Sequence, residues 1–238
     1  MATTKVEIEW PKNYVATGIL SFPLCSDEDL AALQEWRVKR GIKKPKFADK
    51  IGGSLLLNQE QYDKVRAYLT DVYLPFVDTL YKDTDGQKGI SPELVAELLK
   101  QAKAEDWSKS NMPIRVLTDK DIENAPDGIV YKLKFSGPYE ANITKKALIK
   151  PDPNGPLQAI NIDEVEGLPE NRKDADTLWW GANWHFRTSL RFNAFDTASV
   201  GVSAYCAGTL YLLPHLGMPV TGGGDAAVLE DGDDIDWE

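Results

Sequence analysis

The chain has few of the residues from which metal centres and nucleophilic active sites are usually built. Its 238 residues include two cysteines and two histidines. Cys25 and Cys206 lie in apolar, strand-like contexts, which predicts buried free thiols in a reducing compartment. There is no phosphate-binding loop, no cluster of Cys and His with metal-ligand spacing and no nucleophile motif. We therefore expect no enzyme activity, metal or cofactor, although a nuclease built on carboxylates stays open because acidic residues are abundant.

Long apolar runs are also missing. No stretch of 18 apolar residues exists, so no transmembrane helix is expected. The N-terminus, residues 1–7, lacks the charged-then-apolar layout of a signal peptide. Hydrophobic residues make up 42% of the chain, which is ample for a real core. The sequence therefore predicts a cytoplasmic, soluble protein.

Basic residues are absent from the last fourteen positions, which are strongly acidic. Residues 222–238 begin with three glycines and then carry Asp225, Glu230, Asp231, Asp233, Asp234, Asp236 and Glu238. Such a segment repels itself and cannot bury a core, so we expect a disordered acidic tail. The whole chain is −10, and residues 1–224 are close to neutral, with 27 basic residues against 30 acidic ones. Apolar tail residues such as Val228, Leu229 and Trp237 indicate that a partner binds the tail.

What the chain does contain is a strand with two contrasting faces, from Trp184 to Phe195. Because strand side chains alternate, one face is apolar and consists of Trp184, Phe186, Thr188, Leu190, Phe192 and Ala194. The other face is cationic and rich in hydrogen-bond donors, and consists of His185, Arg187, Ser189, Arg191, Asn193 and Phe195. Cations for phosphates and a ring for a base are what a nucleic-acid groove needs. The alternative is a solvated face of a half-buried strand.

Strands at both ends of the chain predict the fold class. Val15–Leu24, Ile51–Leu57, Ile129–Phe135 and the hairpin formed by Trp184–Phe195 and 202–213 are the clearest of six or seven strands. Predicted helices cluster in one stretch, about 58–107, and one more is expected from Asp27 to about Lys39, with Ser26 as its N-cap. We therefore predict a mainly β domain, an antiparallel barrel or partly open Greek-key sheet with a helical insertion, spanning residues 1–221.

Two helices are predicted inside the insertion. Asn58 is expected to cap a helix that runs to about Lys82 and is kinked at Pro75. Its apolar stripe is predicted to face the core and consists of Tyr62, Val65, Leu69, Val72, Phe76 and Leu80. Ser91 opens a second helix that is expected to end near Trp107.

Further cationic groups recur along the chain. Two later segments each carry a pair on a polar face or flank, Lys132 with Lys134 and Lys145 with Lys146. A basic stretch after the first strand holds Lys43, Lys44, Lys46 and Phe47, and is either a phosphate-contacting lobe or a solvated loop. The rings predicted to stack on bases are Phe47, Tyr139 and Phe195, whereas Tyr131 and Trp184 are predicted to be core.

A ligand-binding β module is the main alternative function. Trp179, Trp180 and Trp184 could form a stacking surface for a carbohydrate, because small barrels bind oligosaccharides as well as oligonucleotides. The acidic tail and the missing secretion signal argue against this alternative.

The C-terminal quarter, Asn183–Glu238, resembles the single-stranded DNA-binding proteins of T7-type and related bacteriophages. The similar pieces are the strand Thr188–Asp196, the segment Gly201–Ala204, the strand Thr209–Leu213, the triglycine and the acidic tail. Fainter likeness lies in Gly18–Pro23 and Gly53–Leu57. The resemblance implies an oligonucleotide-binding (OB) barrel that coats single-stranded DNA in phage replication and recombination, often as a dimer.

The resemblance also implies a role for the tail. In such proteins the tail recruits DNA polymerase and helicase-primase, and it competes with DNA for the groove when DNA is absent. The tail residues expected to bind partners are Asp231, Asp233, Asp234, Asp236, Trp237 and Glu238. Family tails tend to end on an aromatic residue, whereas Trp237 is penultimate here.

Overall fold

The computed structural model describes most of the barrel and the helical insertion. The described residues are 9–24, 35, 38–39, 41, 50–84, 91–104, 107, 110–122, 125–138, 146–152, 155–166, 184–196 and 199–216. Several predicted positions therefore lie outside the described residues, namely Cys25, Lys43, Lys44, Lys46, Phe47, Tyr139, Lys145, Trp179, Trp180 and the whole acidic tail.

The described residues form eight strands, somewhat more than the six or seven expected. The strands are β1 (Tyr14–Leu24), β2 (Lys50–Leu57), β3 (Ile114–Val116), β4 (Tyr131–Pro138), β5 (Lys146–Ile149), β6 (Gln158–Asn161), β7 (His185–Asp196) and β8 (Val200–Leu212). The α-helices are α1 (Gln59–Tyr68), α2 (Leu74–Thr84), α3 (Pro92–Ala102) and α4 (Asp119–Ile122), with a π-helical turn, Leu69–Tyr73, between α1 and α2.

Five of these strands close into a barrel. Neighbouring strands follow the circuit β1, β2, β4, β8, β7 and back to β1. Four contacts of the circuit are antiparallel, and the β4–β8 contact that closes it is parallel, pairing Phe135 with Ala204 and Ser136 with Tyr205. The chain is therefore mainly β with an OB-fold-like closed barrel, as the sequence predicts, and the helical insertion leads from β2 towards β4.

The barrel interior is filled by alternate residues of its strands. The apolar face predicted for β7 is confirmed, since Phe186, Leu190 and Phe192 are buried and Trp184, just before the strand, is 7% exposed. They join one core cluster that also includes Leu20, Leu55, Leu57, Leu133, Phe135, Val202, Ala204, Leu210 and Leu212. Removing this apolar surface from water is the main force that fixes which face of each strand points inward.

The first helix begins as predicted and then departs from a regular helix. Asn58 accepts a hydrogen bond from the Gln61 backbone N–H, and the Gln61 side chain accepts one from the Asn58 N–H, which completes a capping box. The π-turn lies just before Pro75, which cannot donate to the preceding turn. The extra residue of the π-turn rotates the apolar stripe, so Tyr73 is buried and Val72 is 43% exposed. The prediction that Val72 faces the core was therefore wrong.

The second helix is shorter than predicted. Ser91 caps α3 through its Oγ, which accepts from the Leu94 N–H, but the helix ends at Ala102 rather than near Trp107. Trp107 is buried after the chain has left the helix, and its Nε1–H donates to the Ala102 carbonyl at 3.4 Å. A buried ring beyond the last turn satisfies an orphan helix carbonyl here.

Candidate nucleic-acid interface

A groove runs over the outer wall of the barrel where β4 meets the β7–β8 hairpin. It has a volume of about 310 Å³. We call it the outer groove and define it by six of its lining residues that are not part of the apolar core, namely Asn111, Arg115, Lys134, Ser136, Phe195 and Ser203. The structure thus brings together two of the predicted site residues, Lys134 and Phe195, from strands 61 positions apart in sequence.

A short segment, residues 111–113, lines the groove and contacts both β4 and β8. The Lys134 backbone N–H donates to the Pro113 carbonyl, and the Val202 N–H donates to the Asn111 carbonyl, both at 3.0 Å. The Asn111 side chain also donates to the Val200 carbonyl at 2.9 Å. These backbone contacts fix the floor of the groove, so its side chains project from a rigid support.

The charge of the outer groove is positive. The Lys134 side chain is exposed, and Arg115 is half-buried, with its guanidinium donating to the Trp107 and Ser110 carbonyls. No acidic side chain of the described residues lines the groove. Two cations in a lining that holds no described carboxylate form a local anion-binding surface on a domain of nearly neutral charge.

Phe195 supplies the aromatic surface of the groove. It pairs with Gly201 across the β7–β8 ladder. A Cβ at Gly201 would lie 2.7 Å from Phe195 Cζ and 2.5 Å from Asn111 Cβ, so the absent side chain makes room for both. The ring is half-buried and held against the backbone of the next strand, which leaves part of it available for stacking.

The outer face of β7 continues the polar surface beyond the groove. Arg191 and Asn193 are exposed, and they pair with Tyr205 and Ser203 on β8. The Ser203 hydroxyl donates to the Asn193 carbonyl at 3.3 Å. Alternation along β7 therefore places Arg191, Asn193 and Phe195 in one outward row, as the sequence predicts.

The remaining described cations lie elsewhere on the barrel wall. Arg187 pairs with Tyr211, and Tyr211 pairs in turn with Lys146, so these three residues form a second row across β7, β8 and β5. The Lys146 ammonium donates to the Asn161 side chain at 2.9 Å. Lys132 pairs with Arg115 on β3 and is half-buried. Of the predicted cations that the structure describes, Lys134 lines the outer groove, Arg187 and Lys146 lie in this second row, and Lys132 and Arg191 lie in neither.

His185 contributes little positive charge at neutral pH. It is half-buried at the start of β7. Burial, with a smaller contribution from the nearby His215, lowers the pKa of His185 below its usual value. Its imidazole is therefore mostly neutral at pH 7.

Comparison with known proteins identifies no similar protein. No family model, no curated protein sequence and no solved structure matches the chain. Within the described ranges, no helix is both long and apolar enough to cross a membrane. In the same part of the chain no three His, Cys, Asp or Glu side chains are grouped so that they could hold a metal ion. A function must therefore be inferred from the barrel, the outer groove and the sequence.

Two further predicted residues are part of the core. Trp184 is buried, so it cannot form an exposed carbohydrate platform with Trp179 and Trp180. Cys206 is also buried, and its thiol contacts the Thr188 hydroxyl at 3.0 Å and the Gly208 carbonyl at 3.0 Å. Burial raises the pKa of the Cys206 thiol, which favours the neutral, unreactive form.

Arg115 is the charged lining residue of the outer groove that the sequence analysis did not predict. It lies in β3, which has three residues, and a strand that short has no readable alternation. Its position beside Lys132 results from the pairing of β3 with β4. The sequence signal for Arg115 is weak. A single Arg near Pro113 could equally be an ordinary surface cation, so its position in the sequence does not identify it as a groove residue.

Proposed function

We propose that this chain is a sequence-independent single-stranded DNA-binding protein that acts in phage DNA replication and recombination. The observation that carries the proposal is the outer groove, which Arg115, Lys134 and Phe195 line together on an OB-fold-like barrel. Single-strand binders combine a cationic track for the backbone with aromatic rings for the bases. Stacking needs no particular base, so such a groove binds without sequence preference.

The position of the groove supports the same function. OB-fold proteins bind oligonucleotides on the face of their second and third barrel strands and on the loops that follow strands one and four. Here the third barrel strand is β4, which carries Lys134, and Phe195 lies near the end of the fourth, β7. The sequence between β1 and β2 also includes Lys43, Lys44, Lys46 and Phe47, which lie outside the described residues and are further candidate DNA contacts.

We propose that the acidic tail has two roles, which the resemblance to T7-type proteins supports. It recruits replication proteins such as DNA polymerase and helicase-primase, and it competes with DNA for the cationic surface. A tethered segment that carries seven acidic residues is present at high effective concentration near that surface. The same resemblance supports a homodimer acting in the host cell cytoplasm.

The structure weakens the ligand-module alternative at one residue. Trp184, one of the three tryptophans of its expected stacking surface, is buried. The outer groove offers one ring with two cations, and cations suit a phosphodiester backbone better than a neutral sugar.

An equilibrium titration tests the proposal. Fluorescence anisotropy of labelled oligo-dT and of a labelled duplex is measured with the full-length chain at low and at moderate salt. We expect tighter binding to the single strand than to the duplex. The affinity should fall as the salt concentration rises, because the Lys and Arg side chains of the protein release counterions from the DNA phosphates when they bind. Equal affinity for both DNAs, or no binding to the single strand at low salt, would contradict the proposal.

A further inference from the structure

A second concavity lies at the other end of the outward row of β7. It has a volume of about 300 Å³ between the segment that precedes β1, the helical insertion and β7. We call it the aromatic pocket and define it by Trp10, Lys12, Tyr68, Tyr73, Arg191 and Asn193. Its size is at the lower limit of small-molecule sites, which suits a single nucleotide rather than a large ligand.

The most unusual residue of the pocket is Trp10. Its side chain is 57% exposed, although tryptophan is highly buried in most proteins. One side of the indole packs on Phe76, with ring centroids 4.9 Å apart, so the ring is held in place while much of its surface faces solvent. A supported but exposed indole is a ready platform for a flat aromatic ligand.

Hydrogen bonds of two tyrosine hydroxyls hold the walls of the pocket. The Tyr68 hydroxyl donates to the Lys12 carbonyl, which ties the N-terminal segment to the end of α1. The Tyr73 hydroxyl accepts from the Ala194 N–H at 2.6 Å, which ties the π-turn to β7. The π-turn is what rotates Tyr73 towards β7, so the irregular turn of the insertion also shapes the pocket.

The polar groups of the pocket complement a nucleotide. Lys12 and Arg191 are exposed cations, and Asn193 carries an amide that both donates and accepts hydrogen bonds. No acidic side chain of the described residues lines the pocket. An aromatic platform with two cations fits an unpaired base together with its phosphate.

A cross-strand pair of β7 and β8 connects the pocket with the outer groove. Asn193 lines the pocket, and its cross-strand partner Ser203 lines the groove. Arg191 and Phe195 are four residues apart on one strand face, a span of about 13 Å at the usual rise per residue. A single strand lying along β7 would therefore meet Phe195 at one end and Trp10 at the other.

We infer that the aromatic pocket is a second nucleotide subsite, in which Trp10 stacks on an unpaired base and Lys12 and Arg191 bind its phosphate. This inference rests on the proposed function and adds a binding residue from the segment before the barrel. It also gives the bound strand a path, along the outward row of β7.

The test combines substitution with oligonucleotide length. Trp10→Ala should weaken binding of long oligo-dT by about 5- to 150-fold, the loss expected for one stacked base. Binding of an oligo-dT too short to leave the outer groove should not change. Trp10→Phe should restore most of the affinity, because any aromatic ring offers a stacking face. Ile122→Ala removes an exposed apolar side chain of α4 that lines neither the pocket nor the outer groove, so this control variant should bind like the parent chain.

Photo-cross-linking gives a second readout that does not depend on a loss of affinity. Long oligo-dT that contains 5-iododeoxyuridine should cross-link to a peptide that includes Trp10, and Arg191→Gln should reduce the salt dependence of long-oligonucleotide binding. If Trp10→Ala binds both lengths like the parent and no cross-link reaches Trp10, the subsite is wrong while the outer groove stands. If the parent chain binds no single strand, the proposed function fails as well.

Discussion

At the scale of single residues, Phe195 decides whether the outer groove binds bases or only phosphates. Its ring is held over Gly201 and is half-buried, so its orientation is fixed before any ligand arrives. We expect Phe195→Ala to weaken oligo-dT binding by about 5- to 150-fold, because base–aromatic stacking contributes about 1–3 kcal/mol per base. Phe195→Tyr should bind within a few-fold of the parent. Anisotropy titration measures both, and equal binding by the Ala variant would exclude a stacking role for this ring.

His185 makes a residue-scale prediction about stability and pH. Its pKa is lowered in the folded chain, so below an unfolded value of about 6.5 the unfolded chain binds a proton before the folded chain does. The free energy of unfolding should therefore fall as pH decreases through that value, and His185→Gln should reduce the fall. His215→Gln should retain most of this pH-dependent loss of stability, because burial lowers the pKa of His185 more than His215 does. Urea unfolding from about pH 7.5 to 5 measures this, and identical profiles for the parent and His185→Gln would refute it.

At the scale of elements, the close contact between β8 and the segment around Asn111 depends on Gly201. A Cβ there would meet the Asn111 carbonyl at 2.6 Å and Asn111 Cβ at 2.5 Å. We expect Gly201→Ala to lower the free energy of unfolding by about 1–3 kcal/mol, as overpacking does elsewhere. It should also weaken oligo-dT binding, because Phe195 must move.

Gly208 is the control for this prediction. It lies in the same strand, and a Cβ added there would have no heavy atom within 4 Å, so Gly208→Ala should change the free energy of unfolding by less than about 0.5 kcal/mol. Urea denaturation compares the two variants. Similar losses at both positions would show that general strand effects, rather than the close approach at Gly201, set the cost.

The elements that sequence could predict are those with a clean local pattern. The alternation along β7 placed Phe186, Leu190 and Phe192 inside and Arg191 and Phe195 outside, and the structure has them so. The capping residues Asn58 and Ser91 were equally readable, because a cap depends on three or four neighbouring residues.

The elements that sequence could not predict depend on contacts distant in the chain. The parallel β4–β8 contact closes the barrel between residues about 70 positions apart. The alternation of apolar and polar residues within a strand does not predict which distant strand it pairs with. The π-turn adds one residue to a helix whose sequence reads as regular, which is why Val72 was misplaced. The outer groove needs both the barrel closure and the segment around Asn111, so the sequence predicted only Lys134 and Phe195 of its lining.

At the scale of the whole molecule, the cationic outer groove and the acidic tail carry opposite charges. Residues 1–224 are nearly neutral with a local cationic groove, and the last fourteen residues carry seven acids. We expect truncation after Gly224 to increase affinity for oligo-dT, most strongly at low salt, because it removes a tethered competitor. A synthetic peptide of residues 225–238, added to the truncated chain, should weaken binding again. Unchanged affinity after truncation would rule out competition by the tail.

The salt dependence of binding tests most directly the claim that the outer groove binds the backbone of single-stranded DNA. For a single strand, the slope of log affinity against log salt changes by about 0.7 for each phosphate contact. We predict that Lys134→Gln reduces the magnitude of the slope by about that amount. Lys100→Gln, which removes an equal charge from the exposed face of α3, should leave it unchanged. Equal slopes for the parent and Lys134→Gln, or equal reductions in both variants, would contradict binding in the outer groove.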